Sequence, residues 1–222
     1  TGTYTVGGTT PDFATVGEAC TQIETQGISG PVTINIRDGV YADSIHLTDF
    51  SGASAVNTIT FQSESMDAAN VEITSGNDSP VYLSGETVDY ITIQHLTLTA
   101  ASNFSAVAIS NGVNNFTLND CVVNGFSSTG TSPTLPAVSI LSGVFNNDSI
   151  TISKNTINNG SYGIHFNNSG LFGTVTITNN ILNENYYHSI YLYEFGDIQL
   201  TDNIINSSGA SFAGAHGILM TN

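Results

Sequence analysis

Toward the end of the 222-residue chain, ring-bearing side chains return at a fixed interval. Tyr162, His188 and His216 each stand two residues before an isoleucine (Ile164, Ile190, Ile218), and His165 and Tyr191 stand one residue after the first two of these. If the isoleucine segments lie side by side, the rings stack. Tyr186, Tyr187, Tyr193, Phe195 and Phe212 fall around the same register. Sugar rings stack on aromatic faces, and imidazoles and amides add directional hydrogen bonds. Tyr162, His165, Tyr186, Tyr187, His188, Tyr191, Tyr193 and His216 are therefore the candidate ligand-binding residues. The alternative is that the rings only brace one another, with each imidazole satisfied locally, and the sequence leaves both readings open.

Other chemistries find less material. β-Elimination from a uronate needs Ca²⁺ or basic residues to neutralise the carboxylate, and a base at the proton removed. Arg37 and Lys154 are the only permanently cationic side chains and lie far apart, so no basic cluster forms. Arg37 reads as structural and Lys154 as the decoration of a bend. An inverting glycosidase needs two carboxyls roughly 6.5–9.5 Å apart. Stacking would bring Glu184, Glu194, Asp197 and Asp202 closest; otherwise they are exposed acids on turns. No repeating acidic calcium loop occurs, and Cys20 and Cys121 have no Cys or His at zinc spacing. No catalytic residue, metal ligand or cofactor is assigned, and both cysteines read as small buried hydrophobes.

The elements that would position these rings follow from a repeat. Ile59-Thr60-Phe61, Ile91-Thr92-Ile93, Phe116-Thr117-Leu118, Ile150-Thr151-Ile152, Val175-Thr176-Ile177 and Ile198-Gln199-Leu200 share an apolar, polar, apolar alternation, preceded by Val32-Thr33-Ile34-Asn35-Ile36. Each is a short strand with one buried face. A second apolar pair follows in most turns: Ile45 and Leu47, Val71 and Ile73, Val107 and Ile109, Val138 and Ile140, Ile164 and Phe166, Ile190 and Leu192, Ile218 and Met220. Asparagines recur at matched places, Asn155, Asn180 and Asn203 in one series and Asn124, Asn158, Asn183 and Asn206 in another. Amides one turn apart can bond each other, which predicts stacked ladders. Short, evenly spaced strands ending in Asn and Gly bends predict an all-β fold, a right-handed parallel β-helix of about seven coils. An antiparallel sandwich is the main alternative, but it gives no reason for the ladders.

Residues 1–30 differ and are expected to cap the helix, with 31–222 forming the β-helix itself. Thr15-Val16-Gly17-Glu18 fits a capping box, Phe13, Val16, Ala19 and Ile23 form an apolar stripe, and Gly27 is a stop, so an α-helix is expected from about Thr15 to Gln26. At the other end Ile218-Leu219-Met220 finishes as a strand with nothing to close it. Further coils, further domains of the same chain, or a partner are expected there, and the open edge also allows self-association. The insertion from Ser127 to Pro136 reads as a surface loop.

Composition narrows the function classes. The chain holds 28 Thr, 25 Ser, 24 Asn and 22 Gly, 99 residues together, which excludes an ordinary helical protein. A net charge of −16 repels phosphate backbones, anionic lipid and polyuronates, so nucleic acid is not an expected partner. No apolar run reaches the ~20 residues of a membrane span, and the start lacks a signal peptide's basic and apolar regions, so a removed leader or an excised domain is expected. Scarce Lys with abundant Thr, Ser and Asn favours a secreted, extracellular or cell-surface location.

Two stretches carry a resemblance. Gly7-Gly8-Thr9-Thr10-Pro11-Asp12-Phe13-Ala14-Thr15-Val16 and Gly30-Pro31-Val32-Thr33-Ile34-Asn35-Ile36-Arg37-Asp38-Gly39-Val40-Tyr41 resemble the opening of pectin-lyase-like β-helices, where a helix leads to a first strand ending in a Gly-x-Tyr turn. With Gly52 through Glu64 added, they look like repeat domains of large bacterial surface proteins exported by type IX secretion. The likeness is specific over about residues 2–65 and architectural beyond. It implies secretion and attachment to a surface or matrix. The superfamily also contains polysaccharide lyases and hydrolases, but the Asp-rich motifs of polygalacturonases are absent, and Ala215-His216-Gly217 is only faintly like their Gly-His-Gly. The expectation is thus a non-catalytic extracellular domain acting in adhesion, in carbohydrate binding or as a spacer, its partner an extracellular polysaccharide or cell-surface glycan. A polysaccharide-active enzyme is the alternative. Thr60, Thr92, Thr117, Thr151 and Thr176 also fall outward in a row broken by Gln199, which makes an ice-binding surface the lesser alternative, against the plain β-propensity of Thr.

Overall fold

The structure, a computed structural model, describes residues 1–127, 130–131, 135–141, 149–167, 173–193, 196–206 and 214–221. The alternating segments close into the right-handed parallel β-helix of about seven coils that the repeat predicts, built from three parallel sheets. The first sheet stacks Gly2–Val6, Val32–Ile36, Ile59–Ser63, Ile91–Gln94, Phe116–Asn119, Ile150–Ser153, Thr174–Thr178 and Asp197–Thr201. The second stacks Gly39–Tyr41, Val71–Ser75, Thr97–Ala100, Val122–Asn124, Thr156–Asn158, Ile181–Asn183 and Ile204–Asn206. The third stacks Ile45–Leu47, Val81–Ser84, Val107–Ser110, Val138–Leu141, Tyr162–Asn167, His188–Tyr193 and His216–Thr221. Alternate residues of each strand point inward, so Ile, Val, Leu and Phe from three sides fill one continuous core along the axis.

Two details depart from the sequence reading. Val71 and Ile73 do not continue the series begun by Ile45 and Leu47: Val71 pairs with Gly39 and Ile73 with Tyr41 in the second sheet. The place beside Ile45 and Leu47 belongs to Val81 and Leu83. An apolar pair with period two looks the same in any sheet, so pattern alone could not assign it. The N-terminal segment also contributes more than a helix, because Gly2–Val6 pairs in register with Val32–Ile36 and starts the first sheet.

The helix runs Val16–Gln26 with Thr15 as its N-cap. Thr15 Oγ1 accepts the Glu18 N–H at 3.1 Å, while Glu18 reaches back past the cap to the Ala14 N–H at 2.8 Å. Val16, Ala19, Cys20 and Ile23 are buried and close the apolar end of the first coil. Gly27 ends the helix at φ 67°, where a Cβ would meet Ser51. Arg37 ties the opening loop down: its Nη1 donates to the carbonyls of Gly7 (3.1 Å) and Thr9 (2.6 Å), and its Nε lies 3.4 Å from Glu64. The Tyr41 hydroxyl donates to the Arg37 carbonyl at 2.7 Å. Arg37 is thus a structural cation.

Corners are made by left-handed residues and filled by amides. His95, Asp120, Lys154, Asn179 and Asp202 occupy the same bend between the first and second sheets, all with φ between 52° and 58°. Asn, Asp and His tolerate that conformation, while Lys154 takes it at a cost of about 1 kcal/mol. Inside the bend, Asn155 Nδ2 donates to Asn180 Oδ1 (3.0 Å) and Asn180 Nδ2 to Asn203 Oδ1 (2.9 Å). The same oxygens accept the backbone N–H groups of Asn155 and Asn180. One coil earlier Cys121 takes the place of an asparagine, donating its N–H to Asn155 Oδ1 at 2.9 Å. Burial pushes the thiols of Cys20 and Cys121 up to about 12, as befits small packed hydrophobes. The second ladder is longer than its asparagines. Asn206, Asn183 and Asn158 each donate to the preceding amide oxygen, Asn124 donates to Thr99, and the Thr99 hydroxyl ends on the Glu72 carboxylate at 2.7 Å.

Candidate binding site

The late rings do meet, and they sort into two layers. In the third sheet Tyr162 is in register with His188 and His188 with His216, while His165 is in register with Tyr191. Tyr162, His165 and His188 are buried, with exposures of 6%, 2% and 1%. Tyr186, Tyr187, Tyr191 and Tyr193 are half-buried and His216 is exposed. The first three therefore support, and the last five face outward. Phe195, Phe212 and Glu194 lie outside the described residues, as do parts of the 127–136 insertion.

Ring geometry binds the layers together. His165 stacks on Tyr191 (centroids 5.2 Å apart, planes 18° apart), and His188 lies near parallel to the same tyrosine (5.8 Å, 12°). Tyr187 covers His188 at 3.7 Å. Tyr162 meets Tyr187, His188 and Tyr191 edge-on at 5.4–5.7 Å and His165 at 4.7 Å. Edge-on and offset contacts of this kind add about 0.5–1.5 kcal/mol per pair beyond simple burial. Tyr193 stands in register between Asn167 and Thr221, at the outer end of the same strands.

The buried layer of the wall is uncharged at neutral pH. Burial, then the neighbouring His188, brings the His165 imidazole down to about 4. His188 is lowered as well, by burial and by the neighbouring His216. The His216 N–H donates to Nδ1 of His188 at 3.0 Å and fixes it as an acceptor, so Nε2 carries the proton. Burial raises the Tyr162 hydroxyl to about 12, with Tyr187 and Tyr191 adding to the effect. His165 Nδ1 and Asn185 Oδ1 are buried with no hydrogen-bond partner among the described residues. A surface of neutral rings with a few donors can stack on an uncharged, hydroxyl-rich ligand. The two buried imidazoles, His165 and His188, are not poised to exchange protons near pH 7.

The acids do not converge among the described residues. Asp202 precedes Ile204–Asn206 and Glu184 follows the adjacent strand Ile181–Asn183, so they stand at opposite corners of the second sheet. Asp197 opens a strand of the first sheet. No cluster of His, Cys, Asp and Glu suited to a metal ion occurs among the described residues, and no helix there is long and apolar enough to cross a membrane. Elsewhere carboxylates staple turns: Asp12 accepts from Thr5, Asp43 from the Gly17 N–H, Glu24 from Thr48 and Asp49 from Thr87. A cavity of about 130 Å³ lies at the far end of the rod, between the helix and the first sheet, lined by Tyr4, Phe13, Ile23 and Ile34 among others. It is a gap under the cap, and no acid, histidine or cysteine side chain lines it.

One ring pair escaped the sequence reading. His46 lies tilted against Tyr82 (centroids 4.7 Å, planes 37° apart) with Asp78 Oδ2 at 3.1 Å from its Nδ1. The outward row of the third sheet runs His46, Tyr82, Ala108, Ser139, His165, Tyr191 and Leu219, so one His–Tyr pair opens the row and the other stands one coil before its end. The signal was present, since His46 and Tyr82 each follow an inward apolar residue as His165 and Tyr191 do. Assigning Val71 to the third sheet hid it. No protein-family model, no curated protein and no solved structure matches this chain.

Proposed function

We propose that this β-helix is a non-catalytic, extracellular recognition domain of a bacterial surface protein that holds a neutral glycan on its late coils. The observation that carries the reading is the two-layered wall: half-buried Tyr187, Tyr191 and Tyr193 with exposed His216, set on buried Tyr162, His165 and His188. Rigid, partly exposed tyrosines on a supported backbone offer stacking area at low entropic cost. The net charge of −16 disfavours uronates and sulfated chains and leaves neutral sugars as the fitting class. The secreted setting is supported by the Lys-poor composition and by the pectin-lyase-like opening, whose Arg37 and Tyr41 contacts pin the first coil. The type IX export resemblance makes attachment to a cell surface or matrix, in line with further coils or domains, the natural context. Adhesion follows from glycan binding on such a protein, and a plain spacer is what remains if no glycan binds.

The test is a glycan array with the 222-residue chain, followed by reducing-sugar and unsaturated-product assays on each polysaccharide bound. Binding without turnover, lost in Tyr187→Ala and Tyr191→Ala while the melting curve is retained, is the expected result. Turnover would replace the reading with an enzyme, and silence on all neutral glycans would reduce it to a spacer.

A further inference from the structure

The outer face of the first sheet is unlike the rest of the surface. Thr3, Thr33, Thr60, Thr92, Thr117, Thr151 and Thr176 lie in one unbroken register row, each beside the next, before Gln199 ends it. Two residues on, a parallel row runs Thr5, Asn35, Gln62, Gln94, Asn119, Ser153, Thr178 and Thr201. Neither row contains a charge or an aromatic ring, in a chain of net charge −16. The nearest charges are Asp197, in register with Thr174 at the start of the last strand, and Asp120, Lys154 and Asp202 at the corner beyond. With strands stacked at ~4.8 Å and ~3.3 Å rise per residue, the threonines span about 29 Å and the rows lie about 7 Å apart.

The rows differ in how they spend their hydrogen bonds. The outer row is largely tied to itself: Gln62 donates to Asn35 at 2.9 Å, Gln94 to Gln62 at 2.6 Å, Ser153 to Asn119 at 2.9 Å, and Thr178 and Thr201 share one of 2.8 Å. From Thr33 to Thr176 the threonine hydroxyls of the inner row make no hydrogen bond to the described protein, although all six are only half-buried. Each leaves a hydroxyl and a methyl facing water, held at even spacing by strands that carry no bulge within these pairings. β-Branching fixes the side-chain rotamer, so the groups are ordered before any partner arrives.

We propose that this face is a docking surface for ice. A charged mineral would call for acidic or basic rows, and a crystalline polysaccharide for aromatic ones; these two rows are neither. Its hydroxyls must bond to an external partner, its methyls favour leaving bulk water, and their regular two-dimensional spacing fits a repeating, uncharged, hydroxylic lattice. Ice is the lattice with that chemistry. The inference does not rest on the glycan reading, because the aromatic wall lies on the third sheet.

The test uses the whole 222-residue chain in a freezing-point hysteresis and ice-shaping measurement. The wild type is expected to shape ice crystals and to adsorb to an ice surface, Thr92→Tyr with Thr117→Tyr to lose both, and Tyr191→Ala to keep both. Thr92→Ser with Thr117→Ser, which preserves the fold and the hydroxyls but removes the methyls, is expected to show a partial loss. A wild type without ice shaping overturns the proposal. So does activity that survives the tyrosine pair in protein shown to be folded by circular dichroism, or adsorption to crystalline cellulose with none to ice.

Discussion

Acid should loosen the late coils before it touches the carboxylates, and His165 is the group responsible. Its imidazole is 2% exposed and sits against Tyr162 and Tyr191, with His188 close by and no carboxylate in the ring cluster. Burial holds it at about 4 in the folded chain against 6.5 when unfolded. A histidine with a depressed value binds its proton more readily once unfolded, so its contribution is fully present above 6.5 and is lost as pH falls toward 4. From those two values the loss at about pH 5 is about 2 kcal/mol, still above the ordinary aspartate range, and approaches about 3 kcal/mol below pH 4. His188, lowered for the same main reason, adds in the same direction. Because coils of a solenoid open by neighbourhood rather than all at once, the measurement is hydrogen exchange by mass spectrometry at about pH 7.5 and about pH 5, corrected for intrinsic rates. Peptides over residues 185–193 and 214–221 should lose about 30-fold in protection, peptides over residues 30–65 far less. His165→Phe, which keeps the ring stack and removes the titration, should abolish most of the difference. An unchanged pH response in that variant, or an imidazole titrating near 6.5 by NMR, would show that burial does not hold this ring neutral.

Three further outcomes follow from the corners and the cap. Asn180→Ala removes an amide that bonds Asn155 twice, Asn203 and the Ile152 carbonyl, and should cost about 3 kcal/mol or more in urea melts, because buried partners are left unsatisfied. Arg37→Ala should lose about 1–2 kcal/mol and speed proteolysis within residues 7–14, whereas Arg37→Lys, unable to span both carbonyls, should recover only part. Cys20 and Cys121, with thiols pushed up to about 12, should stay unmodified by a thiol reagent at pH 8 in native protein and react at once in urea; labelling of the native chain would contradict their packing.

The sequence exposed whatever repeats with the coil. Strand alternation, the Asn155–Asn180–Asn203 ladder and the register of Tyr162 with His188 and His216 are properties of spacing, and spacing is what a solenoid turns into contact. Which sheet a strand joins was not legible, as Val71 and Ile73 show, because all three sheets present the same two-residue alternation to the core. Burial of the rings was not legible either. His165 is outward by parity yet 2% exposed, because Tyr162, Tyr187, His188 and Tyr191 crowd one corner, and crowding depends on side-chain volumes from two successive coils. The Gly2–Val6 strand has the right alternation but stands outside the repeat, so only its pairing with Val32–Ile36 identifies it.

A stacked coil copies any outward residue into a row, and the chemistry of the row depends on whether its members are alike. On the third sheet they are unlike: two His–Tyr pairs with Ala108 and Ser139 between them and Leu219 beyond give local patches, suited to a small portion of a ligand recognised by shape. On the first sheet they are nearly identical, and a row of identical groups favours a partner that is itself periodic. The ladders explain how one short repeat supports both faces. Asn155, Asn180 and Asn203 fix the corner before the second sheet from inside, and the Glu72-to-Asn206 ladder ties the outer face of that sheet at its other end, so coil spacing is set by amide bonds rather than by the outward side chains. Substitutions on either face should therefore change what the surface binds with little effect on how the coils stack, while substitutions in the ladders should do the reverse.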